Sequence, residues 1–361
     1  MISPHPELLS TYADDVLRKG GLQLEESQVD KTLDSIVRLF SYLIDKDLFA
    51  EFYRKQLATR LLTQRSSSND AEKSMIGKLK LLMGAQFTSK LEGMFNDMRN
   101  AVEHLSEFQS FVQQRQMNLH GIDFTVQTLT MGFWPNYPMD ELKLPSELQS
   151  CLDAFRVYYD TRTNNRKLRW IHDLGVVTLG SNFAKRRLDL VVSTVQATVL
   201  LQFNSADEIA IDQLIQYTGL APDVMKQTLK SLVSGKFKIL IKTPTEGYST
   251  SHKMRVNHAF HSPQLRVRIP NAIRKTTTKD RENASSAVHE DRKHAMEANI
   301  VRIMKARKVM NHVQLMTEVS QQLMAFFQPD PRAIKQRIED LIQREYMKRD
   351  DEQSNVYHYL A

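Results

Sequence analysis

The chain has 361 residues, enough for two or three domains that each bury a core. With 41% hydrophobic and 25% charged residues, and only 12 Gly and 11 Pro, it reads as a helix-rich globular protein. No apolar run approaches the ~18 residues that cross a bilayer, and a net charge of +7 from 49 basic against 42 acidic residues excludes a uniformly cationic surface.

Residues 7 to about 118 read as helices. Val29, Leu33, Ile36, Val37 and Phe40 repeat at helical spacing, and Leu48, Phe49 and Phe52 begin another face. Ser66-Ser67-Ser68-Asn69-Asp70 is a polar break holding an N-cap candidate before Met75, Ile76, Leu79 and Leu82. A long helix from Ser89 carries Leu91, Met94, Phe95, Met98, Val102, Leu105 and Phe108. An antiparallel helical bundle over 1–120 is the economical arrangement.

The texture changes at Gly121. Ile122 to Leu129 alternates with period two, as a half-buried strand does, until Trp134-Pro135. Val176 to Leu179 and Leu188 to Val192 read as further strands, and Thr194 to Leu201 as a helix. A small α/β section over 121–200 follows, with a sheet edge open to a partner's strand. The lone Cys151 excludes an internal disulfide and reads as a half-buried thiol.

An internal repeat occupies the rest. Ala221-Pro222-Asp223-Val224-Met225 through Val233 aligns with Asp330-Pro331-Arg332-Ala333-Ile334 through Ile342 at a constant offset of 109 residues. Each copy starts a helix at proline, where the missing N–H costs nothing, and runs into a strand, a turn and a strand. The spacing predicts two winged helices, at 201–272 and 291–361, joined by a charge- and Ser/Thr-rich hinge at 273–290. In the second, Met296, Ile300, Ile303 and Met310 fall on one helical face, which sends Lys305 to the opposite side with Arg302 and Lys308.

No catalytic signature survives inspection. His289 to His294 resembles a zinc-protease helix, but its second histidine comes one residue too late to share a face with the first. Paired-cysteine metal sites, phosphate loops and nucleophile elbows are lacking, so neither metal nor cofactor is expected. Two classes remain. A winged helix can read DNA, here through Arg332, Lys335 and Arg344, but the wing residues Asp350-Asp351-Glu352 oppose phosphate contact. The alternative is a protein scaffold.

The chain ends with Ile334, Ile338, Leu341-Ile342-Gln343-Arg344, Tyr346-Met347-Lys348-Arg349 and finally Tyr357-His358-Tyr359-Leu360-Ala361. That run resembles the C-terminal signature of the cullins, and Glu290 to Lys308 resembles their neddylation helix. Pro6 to Leu9, Asp45 to Phe49, Phe52-Tyr53, Thr88 to Leu91 and Leu144 to Leu148 agree, so the resemblance covers essentially the whole chain. It is closest to the plant-like cullins of Skp–F-box ligases.

The resemblance implies a non-catalytic scaffold of a RING ubiquitin ligase, acting in nucleus and cytoplasm. It implies that the 121–200 section grips a small zinc-bearing RING protein, with Phe124, Val126 and Trp134 as contacts. The RING would recruit a ubiquitin-conjugating enzyme. Lys305 matches the lysine joined to a ubiquitin-like modifier, with Arg302 and Lys308 as a basic landing surface for the modifier's conjugating enzyme. A cullin-exchange factor and a deneddylase complex would be further partners. Met1 falls just before the C-terminal half of a cullin, and nothing matches the stalk that binds substrate receptors. A fragment, and a short chain that sequesters RING protein, are both compatible with that departure.

Overall fold

The computed structural model describes all residues except 1–3, 23, 138–140, 184–185, 234–236, 271–277 and 361. The fold is mainly α with an α+β part, as the sequence predicts. Its contacts divide into two compact units, one of Met1–Met98, Leu129–Pro135 and Thr276–Ala361, the other of Arg99–Thr128 and Asn136–Lys275.

In the first unit the chain begins as helices α1 (His5–Leu17), α2 (Glu26–Ser41), α3 (Lys46–Leu62), α4 (Asn69–Met83) and the start of α5 (Ala85–Gln114). The predicted cap is present: the Ser68 hydroxyl accepts from the N–H groups of Asp70 and Ala71 and so starts α4. Phe40, Phe49 and Tyr53 form a continuous aromatic core, with ring centroids 4.9 and 5.8 Å apart. Each such buried ring contributes roughly 2–3 kcal/mol of transfer free energy.

An ion pair is buried in this bundle. Arg60 on α3, 1% exposed, donates from Nε and Nη2 to the two carboxylate oxygens of Glu72 on α4 at 2.6 and 2.9 Å. Its Nη1 binds Asp14 on α1, and the Tyr53 hydroxyl also donates to Glu72. Burial alone would lower the guanidinium pKa, but the Glu72 and Asp14 bonds outweigh it and hold the value above normal. The pair therefore ties three helices together in one charge state.

Phe133 and Trp134 close the unit against α5. Gly93 permits this approach, since a Cβ there would lie 2.5 Å from the Phe133 ring. Asp97 accepts from the Thr130 N–H, the Thr130 hydroxyl and Trp134 Nε1 at 2.7, 2.9 and 2.7 Å.

The second unit holds α6 (Ser146–Arg162) and a sheet of β1 (Val176–Phe183) and β2 (Arg186–Ser193), then α7 (Thr194–Leu201). Strands β1 and β2 are antiparallel from Val176↔Ser193 to Phe183↔Arg186. A winged helix follows: β3 (Glu208–Ala210), α8 (Ile211–Thr218), α9 (Pro222–Val233), β4 (Leu240–Thr243) and β5 (Lys253–Val256), with strand order β3-β5-β4. Strand β6 (Arg266–Arg268) then returns to pair in parallel with β2, leaving β1 at the sheet's edge.

The second copy of the repeat completes the first unit. It contains α10 (Thr278–Arg307), β7 (Val309–Asn311), α11 (His312–Leu323), α12 (Pro331–Gln343), β8 (Met347–Arg349) and β9 (Val356–Tyr359), with strand order β7-β9-β8. The order of helices and strands reproduces the first winged helix.

Three expectations need correction. The hinge at 273–290 is, from Thr278 onward, the first part of the 30-residue α10, while 273–277 lies outside the described residues. Glu, Arg, Lys and Ala make a linker-like composition, but they are also strong helix formers. Met310 lies on β7 instead of the helix, although it reaches the same core as Ile300 and Ile303. Ile122 to Leu129 joins no sheet among the described residues, and its alternation records one-sided burial of an extended segment.

Glu72→Ala should leave the buried Arg60 charge with only Asp14 as a carboxylate partner and cost about 3–5 kcal/mol in urea unfolding. The paired change Arg60→Met with Glu72→Leu should cost much less. Equal losses would show that shape, not charge pairing, governs the site.

Candidate functional site

Helix α10 presents one residue to solvent under unusual conditions. Met296, Ile300, Ile303 and Met304 are buried in the winged-helix core, so the helical phase puts Lys305 on the outer side, exposed. Its basic neighbours are engaged. Arg302 Nη2 donates to Gln322 Oε1 at 2.7 Å, and Arg307 pairs with Glu318 on α11 at 3.6 Å. The ammonium of Lys308 lies 4.9 Å from the ring centroid of Tyr359. Among the described residues, no hydrogen bond or ion pair holds Lys305. Arg302 and Lys308 thus frame Lys305, each fixed by another side chain.

The same helix is fastened to the bundle near its middle, at Arg292. Arg292 donates from Nη2 to Asp45 at 2.8 Å and to Asp47 at 2.7 Å, and from Nε to Asp47 at 2.5 Å. Its guanidinium also lies 4.7 Å from the Phe327 ring centroid. Burial opposes this charge, but the two carboxylates prevail and its pKa is raised. Beside it, the N–H of Lys46 donates to the Phe326 carbonyl at 3.0 Å. Nothing in the sequence pairs Arg292 with residues some 245 positions earlier.

In the second unit, Phe124 and Val126 are half-buried, packed on the aromatic cluster of Phe108, Phe155 and Tyr158. Thr125 and Gln127 point outward between them, exposed. The backbone from Asp123 to Thr128 is extended but belongs to no strand ladder among the described residues. Trp134 departs from its expected role. It is 3% exposed with its indole N–H spent on Asp97, so it supports the first unit's core and offers no surface to a partner. The proposed DNA-reading face is also compromised, because Arg344 pairs with Glu297 at 2.6 Å, while Arg332 and Lys335 stay exposed. Asp350 in the wing accepts from His358 at 2.7 Å, which holds its carboxyl below the usual range.

Comparison with known proteins gives three consecutive matches: the cullin alpha solenoid domain over residues 2–104, the cullin alpha+beta domain over 128–260 and the cullin protein neddylation domain over 291–353. The chain belongs to the cullin family. It is 42% identical to Cullin-2 of Arabidopsis thaliana over 98% of its length, and 41% identical to Cullin-1 of Oryza sativa subsp. japonica over 99%. Human Cullin-4A is 38% identical over 98% of the chain. The chain spans about half the length of these relatives, 46–48%. Lys305 falls inside the neddylation-domain match.

Arg292→Ala should loosen the middle of α10 from Asp45 and Asp47, with a loss of about 1–3 kcal/mol from charged hydrogen bonds. Hydrogen exchange should then quicken in α10 and at the start of α3, while the core helices keep their protection. Unchanged exchange there would show that the bracket does not hold the helix.

Proposed function

We propose that this chain forms the RING-binding, modifier-accepting part of a non-catalytic scaffold in a cullin–RING ubiquitin ligase. The observation that carries the reading is the state of Lys305: it is exposed and, among the described residues, unpaired, on α10 within a neddylation domain, while Arg302, Arg307 and Lys308 are engaged. An amine in that state can attack the thioester that joins a ubiquitin-like modifier to its conjugating enzyme. The new N–C bond gives an isopeptide, the C–S bond breaks, and the conjugating enzyme leaves as a thiol after the ammonium proton passes to solvent. Exchange factors and a deneddylase complex are the corresponding regulators.

The second unit suits a RING protein. Among the described residues it offers an unpaired outer edge on β1 and an extended segment at Asp123–Thr128 without ladder partners. Both are backbone surfaces that a partner's strand satisfies by β-addition. The zinc of such a complex belongs to the partner, whose RING then brings the ubiquitin-conjugating enzyme to substrate.

Co-expression with a cullin-type RING protein should give a 1:1 complex that survives gel filtration. Proline in place of Thr125 or Gln127 removes a backbone donor but leaves the inward Phe124 and Val126 untouched. Either change should weaken the complex by about tenfold, the value of one charge-neutral hydrogen bond. Separate elution of the unaltered proteins would overturn the proposal.

A further inference from the structure

Two lysines compete for the same chemistry on the modified surface. Lys305 and Lys308 are three residues apart, and residues at that spacing on a continuous helix are surface neighbours. Both are exposed, so solvent access alone selects neither.

The backbone separates them first. Helix α10 ends at Arg307, and Lys308 adopts a left-handed conformation with φ of +67°. Few non-glycine residues do so, and here the turn carries the chain from the helix into β7. The Lys308 N–H still donates to the Met304 carbonyl at 2.8 Å, while its own carbonyl accepts from the Tyr359 N–H at 2.9 Å. Val309 then pairs with His358 across the sheet. The left-handed turn takes the Lys308 side chain out of the helical row that contains Lys305.

The side chain is then held. Its ammonium lies over the face of Tyr359, 4.9 Å from the ring centroid. Tyr359 is half-buried against the core of Ile300, Leu315 and Ile338, so the ring is a fixed platform. A π face attracts a cation, and acylation discharges the nitrogen, so reaction at Lys308 forfeits the contact. Lys305 forfeits nothing of the kind.

We propose that Tyr359 is a positioning residue that determines acceptor specificity: by holding Lys308 on its ring, it leaves Lys305 as the amine that takes the modifier. This rests on Lys305 being the acceptor, but the sequestration of Lys308 is a property of the chain that can be read without any enzyme.

The test treats the full chain with limiting N-hydroxysuccinimidyl acetate and follows each lysine by peptide mass spectrometry. Lys308 should react more slowly than Lys305. Tyr359→Leu keeps an apolar side chain against the core but removes the π face, and should speed Lys308 by about two- to fivefold, as a surface cation–π contact implies. Lys305 should keep its rate, and Tyr359→Phe, which retains the ring, should behave as the unaltered protein. Thermal unfolding of each variant separates loss of the contact from loss of the fold, and Tyr359→Phe gives the comparison if Tyr359→Leu melts early. Equal rates for the two lysines in the unaltered protein, or a folded Tyr359→Leu without acceleration at Lys308, would overturn the proposal.

Conjugation with purified modifier, activating enzyme, conjugating enzyme and RING protein gives the second readout. The unaltered chain should carry the adduct on Lys305 alone, and Tyr359→Leu should add Lys308. No adduct at all on the unaltered chain would refute the reading of Lys305, while the acylation rates would still decide the role of Tyr359.

Discussion

The helical phase of α10 is the constraint on which the functional surface depends. Met296, Ile300, Ile303 and Met304 must enter the winged-helix core, and Ile300 and Met304 do so with no exposed surface. At about 100° per residue, that requirement leaves one place for Lys305, outside. Rotating the helix enough to hide Lys305 would expose at least two of those side chains, at roughly 1.5–3 kcal/mol each. The exposure of the lysine is thus enforced by residues buried in the core.

Two arginines anchored by paired carboxylates organise the first unit in different ways. Arg60 is sealed inside the bundle, where separating it from Glu72 would strand a charge in a medium that cannot solvate it. Arg292 makes an equally dense set of contacts with Asp45 and Asp47, but its side chain remains 23% exposed. Water can replace part of what is lost when that bracket opens, so its strength is screened as surface pairs are. One arginine belongs to the fold itself; the other fastens a helix to it.

Local chemistry made much of this molecule legible in its sequence. The Ser68 cap, the proline-led helices of the repeat and the strands around Val176 and Leu188 each depend on neighbours a few residues away. The phase that exposes Lys305 was readable for the same reason. Misreadings arose where one pattern serves two structures. Alternation at Ile122–Leu129 reports burial on one side, which an unpaired extended segment shares with a strand. The charged stretch before His294 has a composition common to linkers and to solvent-facing helix, and the structure makes it helix. Trp134 is expected as a partner contact by resemblance, and its burial with the indole N–H on Asp97 is a long-range outcome that local spacing does not carry. The Arg292 bracket and the Lys308–Tyr359 contact join residues far apart in the chain, and sequence spacing carries no trace of either.

The central claim is that one amine, that of Lys305, accepts the ubiquitin-like modifier. It is tested most directly by reconstituted conjugation of the unaltered chain, Lys305→Arg and Lys308→Arg, each with a cullin-type RING protein present. Arginine preserves the positive charge on α10 or at its end but offers no amine for an isopeptide bond. The account predicts that Lys305→Arg loses the adduct while Lys308→Arg retains it at the normal rate. An adduct of normal yield on Lys305→Arg would contradict it.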